Sequence, residues 1–171
     1  LLFLHVRQEI SFDRYHSKAD RIHRVILNAF WDPAAPEVIA NAPNALGPAM
    51  KEEIPAVEQY ARVLQHEFGE AAFITAGNNK MVEEKLYWAD PGFFEIFDIP
   101  VIAGDLKSAL SQPNTVALSR STAIRYFGTE NAIGQSIHVD RMESLVVRAV
   151  YEDFPANSSF DANVLGSFQS V

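Results

Sequence analysis

The stretch "HSKADRIH" places His16, Asp20 and His23 at spacings of four and three, which on a helix gathers two imidazoles and a carboxylate on one face. Imidazole nitrogen and carboxylate oxygen are the ligands zinc takes, so this is the best metal candidate in the chain. The residues that follow are β-branched and aromatic, "RVILNAFW", and strand character begins near His23. The helical spacing is therefore expected to fail before the third ligand, leaving His16, Asp20 and His23 as solvated or hydrogen-bonding side chains. Ser119 and Ser121 could serve as nucleophiles only beside a base, and "ALSRSTAIRYFG" has no GxSxG elbow around them. Ser119 reads more simply as a helix cap. The sequence contains no cysteine, which removes disulfides, thiolate metal sites and a thiol nucleophile together. It contains no GxGxxG, P-loop or HExxH pattern, so nucleotide hydrolysis is not encoded here. "NSS" at 157–159 matches an N-glycosylation acceptor and equally a turn. No residue is assigned a catalytic, cofactor-binding or metal-ligating role, and no cofactor is implied.

The elements that would position such residues are alternating strands and short helices. "RIHRVILNAFW" (21–31) reads as a strand; Leu46, Met50 and Ile54 share one face of a helix stopped at Pro55. "VEQYARVLQHEF" reads as a strand buried partly on both faces, and "AAFITAGNNKMVEEKLYWAD" as two strands across a turn at Gly77, Asn78 and Asn79. Asp90 is expected to cap a helix beginning at Pro91, whose Phe93, Phe94, Ile96 and Phe97 anchor a core; the rival reading is an exposed aromatic groove for a ligand. "TVALSRSTAIRYFG" reads as strand, cap and helix, with Ala123, Ile124 and Phe127 on one face and Gly128 as the stop. "NAIGQSIHVD" and "SLVVRAVYED" read as paired strands, and "FPANSSFDANVLGSF" as a turn leading into a last strand. Phe94, Phe97, Ile124, Phe127 and Val147 are expected in one core.

At 171 residues, 48% hydrophobic and 21% charged, the composition is that of an ordered globular chain. The formal charge of -8 is uneven: residues 1–24 hold five Lys/Arg against three Asp/Glu, and the rest holds nine against nineteen. An acidic body is a poor match for nucleic acid, which needs a concentrated basic surface. A complete membrane span takes about 20 apolar residues, and here the first charge falls at Arg7. The opening "LLFL" followed by "HVRQE" looks either like the outer end of a transmembrane helix or like an element that packs on the core.

Four motifs in order, "EISFDRYHSKADRIHRV", "YWADPGFFEIFDIPVIAGD", "LSQPNTVALSRSTAIRYFGTENAIGQSI" and "VRAVYEDFPANSSFDANVL", closely resemble the MacB-like periplasmic core domain of FtsX-like ABC transporter permeases, in the branch abundant in Bacteroidetes. The resemblance implies an α+β fold, with a porter-like mixed sheet and short helices plus a smaller β-rich lobe. It implies that residues 1–10 are the end of the first transmembrane helix and a juxtamembrane stalk, forming a helical stub, and that 11–171 are the extracytoplasmic core domain, C-terminally incomplete. It further implies an inner-membrane protein with this domain in the periplasm. The implied partners are a cytoplasmic ABC ATPase, a second permease copy and a periplasmic adaptor or lipoprotein, with the membrane reached through the N-terminal helix and no nucleic acid. The implied role is non-catalytic transmission of ATP-driven movement to periplasmic partners or substrate. The rival roles are a periplasmic ligand-sensing domain and a periplasmic enzyme.

Overall fold

Apolar side chains alternate along the strands in both directions, and the sheet they build is covered on both faces. The computed structural model describes residues 11–29, 37–140 and 144–171. The helix expected over residues 1–10 lies outside them. In chain order the elements are β1 (Leu27–Ala29), β2 (Glu37–Ile39), α1 (Leu46–Glu53), β3 (Val63–Gln65), β4 (Ala72–Ala76), β5 (Asn79–Glu83), β6 (Leu86–Ala89), α2 (Phe93–Ile96), β7 (Val101–Gly104), α3 (Leu106–Ser111), β8 (Thr115–Ser119), α4 (Arg120–Phe127), β9 (Ser136–Val139), β10 (Ser144–Tyr151) and β11 (Val164–Ser167). Short 3-10 turns lie at Ala19–Arg21, His66–Gly69 and Phe168–Ser170. The main sheet runs β3-β6-β11-β8-β10-β9-β4-β5, with β7 also paired to β10, while β1 and β2 form a separate two-stranded sheet. The β10–β8 and β11–β6 pairs are parallel and the others antiparallel, so the sheet is mixed. This is the α+β architecture, with short helices, expected from the sequence.

The single core expected from the sequence is in fact two. Val116, Leu118, Trp88 and Val147 pack on one side with Ala123 and Tyr126 of α4. Ala117, Ala89, Leu165 and Ala149 pack on the other with Phe93 of α2 and Leu106, Ala109 and Leu110 of α3. Neighbours in one strand point to opposite faces, so Phe94 and Phe97 join the second cluster while Phe127 and Val147 join the first. Ile124 is 45% exposed. The inward stripe of α4 is Thr122, Ala123 and Tyr126, which puts Ile124 on the outer face.

The caps follow the sequence with one exception. Ser119 Oγ accepts the Thr122 N–H at 3.4 Å, and Gly128 closes α4 at φ 73 with its N–H on the Ile124 carbonyl, a left-handed stop for which glycine lacks the Cβ penalty. Asp105 caps α3 through the Lys107 and Ser108 amides. Asp90, expected to cap the aromatic helix, has its carboxylate taken by the Arg62 guanidinium at 2.7 and 2.8 Å and by the Arg62 amide at 2.9 Å. The Phe93 amide bonds the Asp90 carbonyl instead. That diversion also shortens the strand expected over 57–68, since Arg62 docks on Asp90 and pairing starts only at Val63. The strand expected over 21–31 begins only at Leu27. The hairpin region contains three strands, with Asn79 already paired to Ala76 and Leu86–Ala89 inserted beside β11.

Phe93 is 1% exposed and contacts the rings of Phe94, Phe97 and Phe160 at centroid distances of 4.7–5.4 Å. Phe93→Ala is expected to lower stability by about 3–5 kcal/mol in urea unfolding, and half-buried Phe94→Ala by less. Ile124→Ser is expected to stay within about 0.5 kcal/mol of the parent chain. A large Ile124 effect would contradict the two-core assignment.

Candidate functional site

The three residues weighed as a metal site do not converge. His16 is buried, whereas Asp20 and His23 are exposed, and only a single 3-10 turn at Ala19–Arg21 joins them, so the helical spacing is never realised. Among the described residues no group of three or more His, Asp or Glu is arranged to hold a metal ion. Ser119 donates to Thr122 Oγ1 at 2.9 Å, and Ser121 donates to Asp153 Oδ1 at 2.8 Å. Both hydroxyls thus serve the start of α4. Asn157 is also structural, since its Nδ2 donates to the Ser11 carbonyl at 2.9 Å.

What the structure does gather is the "FDRYHSK" segment against two distant pieces of the body. The Asp13 amide donates to the Asn157 carbonyl at 2.9 Å; the Asp13 carboxylate accepts the Ser159 amide at 2.9 Å and the Ser159 hydroxyl. Asp13 holds φ 57, a conformation that Asp tolerates better than most residues and that turns its carboxylate back on the 157–159 turn. Tyr15 Oη and Ser158 Oγ share a hydrogen bond at 2.8 Å, and Ser158 also donates to the Phe160 carbonyl at 2.6 Å. One residue on, His16 turns to the C-terminal end of α2: its Nδ1 accepts the Asp98 amide at 3.1 Å and its ring meets Phe97 edge-on at 5.2 Å. The Ser17 amide donates to Asp98 Oδ2 at 2.5 Å, and the Lys18 ammonium caps the Glu95 carbonyl at 2.8 Å. The exposed pair Arg21–Glu58 extends the attachment towards the strand-poor region before β3. Residues 11–21 are thereby laced to both the 157–159 turn and the end of the aromatic helix.

The electrostatics of the attachment follow from these bonds. The Ser17 amide holds the Asp98 carboxyl below its ordinary range. Burial raises the Tyr15 hydroxyl and lowers His16, the latter against the opposing pull of Asp98 and Asp13. Because Nδ1 of His16 accepts a hydrogen bond, the neutral ring carries its proton on Nε2. These residues lock and orient; none pairs a nucleophile with a free base.

Two buried polar nodes escaped the sequence reading. Glu83, 2% exposed, accepts from Arg125, from Tyr126 Oη at 3.0 Å, from Asn163 Nδ2 at 2.8 Å and from the Lys85 amide at 3.0 Å, so its charge is fully bonded. Glu83 drives the Tyr126 hydroxyl far upward together with burial, the larger cause. His66 accepts from Trp88 Nε1 at 3.2 Å and bonds Asp140 Oδ2 at 2.7 Å, so both ring nitrogens are occupied. Apart from the neighbouring Lys85 amide, the partners lie 22 to 80 positions apart, beyond any local pattern. The contact between "FDRYH" and "FPANSSFD" likewise has no periodic signal; the joint occurrence of both motifs was its only trace in the sequence.

Acidification tests the His16 attachment. A histidine whose folded-state value is depressed contributes stability above its unfolded value of about 6.5, and that contribution is lost as pH falls towards the folded value. Protonation also places a donor against the Asp98 amide. The protection of amides 15–18, taken relative to the intrinsic exchange rate at each pH, is expected to fall as pH drops below about 6.5 in the parent chain. His16→Gln, which keeps an acceptor and cannot titrate, is expected to flatten that profile.

The MacB-like periplasmic core domain family matches residues 2–171. Three solved structures share the fold. A domain assigned to a permease protein of Porphyromonas gingivalis aligns with TM-score 0.68 and 26% identity, over 79% of this chain and 56% of that one. The periplasmic region of MacB from Actinobacillus actinomycetemcomitans aligns with TM-score 0.62 and 17% identity, over 85% and 64%. The extracellular domain of the noncanonic ABC-type transporter YknZ from Gram-positive bacteria aligns with TM-score 0.52 and 13% identity, over 69% and 58%. This chain therefore spans 56–64% of the length of those solved chains. No curated protein matches it. No helix among the described residues is long and apolar enough to cross a membrane. With the mixed sheet and the motif order in agreement, the chain belongs to the MacB-like periplasmic core domain family.

Proposed function

We propose that this domain is a non-catalytic transmission element of an ABC transporter permease, standing in the periplasm on an inner-membrane protein. Residues 1–10 form the end of the first transmembrane helix and a stalk, and residues 11–21 pass the displacement of that stalk into the sheet. The observation that carries this reading is the two-point lacing of residues 11–18 to the 157–159 turn and to Glu95 and Asp98. A lever needs a stiff joint, and hydrogen bonds to two separate parts of a packed body restrain rotation where one would act as a pivot. The energy source in this reading is a cytoplasmic ATPase, working through a dimer of permeases, and the output goes to a periplasmic adaptor, lipoprotein or substrate. The assignment of no enzymatic role rests on the engagement of Ser119, Ser121 and His66 in structural hydrogen bonds.

The joint can be softened without touching the body. Ten Gly/Ser residues inserted after Arg7 add a coil whose root-mean-square span is about 17 Å. Helix displacements in switching proteins are about 1–5 Å, which such a coil absorbs. In the full-length permease the insertion is expected to lower transport about tenfold or more while ATPase association persists. A rigid helical insert of equal length is expected to retain more output. Full transport with the flexible insert would overturn the proposal.

A further inference from the structure

Beside the laced joint lies an open groove of about 680 Å³, with Phe94, Phe97, Ile99 and Phe154 among its lining residues. That volume is in the range of small-molecule sites, about 300–1,000 Å³. Three carboxylates, Asp98, Glu152 and Asp153, also line it, and no Lys or Arg does. Their charges are compensated unequally. Glu152 takes the Arg120 guanidinium at 2.7 Å, and Asp98 has Lys18 nearby, although that ammonium donates to the Glu95 carbonyl. Asp153 receives only the neutral Ser121 amide at 3.1 Å and hydroxyl at 2.8 Å, and no cation pairs with it among the described residues. An aromatic floor next to an uncompensated carboxylate attracts one class of ligand. A lipophilic cation gains from the rings and from the carboxylate, an equally apolar anion is repelled, and a hydrophilic cation leaves the rings uncovered. The polar cavity beside Gln65, Tyr87 and Asp161 also carries a carboxylate, Glu84, beyond the Lys85–Asp161 pair, but Tyr87 is its one aromatic ring and it has no apolar floor.

We infer that the groove between the end of α2 and the 152–157 loop is a binding site for a lipophilic organic cation, with Phe94, Phe97 and Phe154 as the apolar floor and Asp153 as the counter-charge. Tyr15 also lines the groove, so the ligand sits against the side chain that bonds Ser158 in the stalk attachment.

The probe pair is tetraphenylphosphonium and tetraphenylborate, which share size and shape and differ in the sign of charge. With the 171-residue chain in solution, titration followed by amide chemical shifts is expected to show saturable binding of the phosphonium, its shifts centred on residues 94–100 and 152–157. The borate is expected to bind about tenfold more weakly or not at all. Asp153→Asn keeps an oxygen for Ser121 and removes the charge; it is expected to weaken the phosphonium about fivefold and leave the borate unchanged or tighter. Phe154→Ala is expected to weaken the phosphonium by a similar factor. Phe68→Ala, at an 85% exposed aromatic elsewhere, controls for adhesion to apolar surface and is expected to change nothing. Equal binding of the two ions, or shifts centred away from the groove, would overturn the inference. Should either groove variant fail to fold by its thermal melt, the comparison of the two ions on the parent chain decides alone. The measurement involves no membrane and no ATPase, so its failure leaves the transmission reading untouched.

Discussion

β10 is an eight-residue strand that must satisfy three partners, and the rest of the fold is arranged around it. Along one side it runs parallel to β8 from Val146 to Tyr151; along the other it gives its first residues to β9 and its last to β7. A strand bonded on both sides and covered on both faces has no solvated edge, which is why it reads as the near-continuous apolar run "LVVRAVY". Serving two partners in succession forces irregularity, and the register shifts on both sides between Val147 and Tyr151. Parallel pairing with β8 requires crossover chain between them, and α4 lies within it, on the face opposite α3. The helix that holds the 15–18 segment and lines the groove takes its position from this arrangement.

Polar clamps complete what packing begins. Trp88 and Gly166 are register partners in the β6–β11 pair, and the indole lies so close over Gly166 that an added Cβ would sit 2.3 Å from the ring. Only glycine fits there, and the position it leaves for the ring lets Trp88 Nε1 reach His66, which in turn bonds Asp140, the residue that follows β9. Glu83 performs a comparable service at the end of β5, joining it to α4 and to the approach to β11 through Arg125, Tyr126 and Asn163. Glu83 is the buried member of its ion pair and Arg125 is half exposed, so the pair adds little net stability compared with apolar packing, but removing Arg125 leaves a buried charge without its cation.

What was legible in the sequence was local. The cap at Ser119, the stop at Gly128, the helix from Leu46 and the β9–β10 pairing each depend on residues within a few positions of one another. The failures came wherever a distant partner competed with a local one: Asp90 gives its carboxylate to Arg62 instead of a cap, and the strand expected from Val57 waits until Val63 for the same reason. The split of one expected core into two was hidden because residue type records burial and not the face on which it occurs. The site was legible only as motifs. "FDRYH" and "FPANSSFD" could be recognised by resemblance, but nothing in either announced that Asp13 would meet Ser159.

That meeting also fixes an order of events. Asp13 and Ser159 stand 146 positions apart. At synthesis rates of about 5–20 residues per second, roughly 7–30 s separate the appearance of the first from that of the second. The residues made earliest in the described chain are thus among the last to find their partners, after the sheet that presents the 157–159 turn has assembled. Closing so long a loop adds nothing to early folding, so the attachment waits for the 157–159 turn. A chain in which the 157–159 turn fails to form would leave Asp13 and Tyr15 without these partners, so the attachment reports, from one end of the described chain, on the folding of the other.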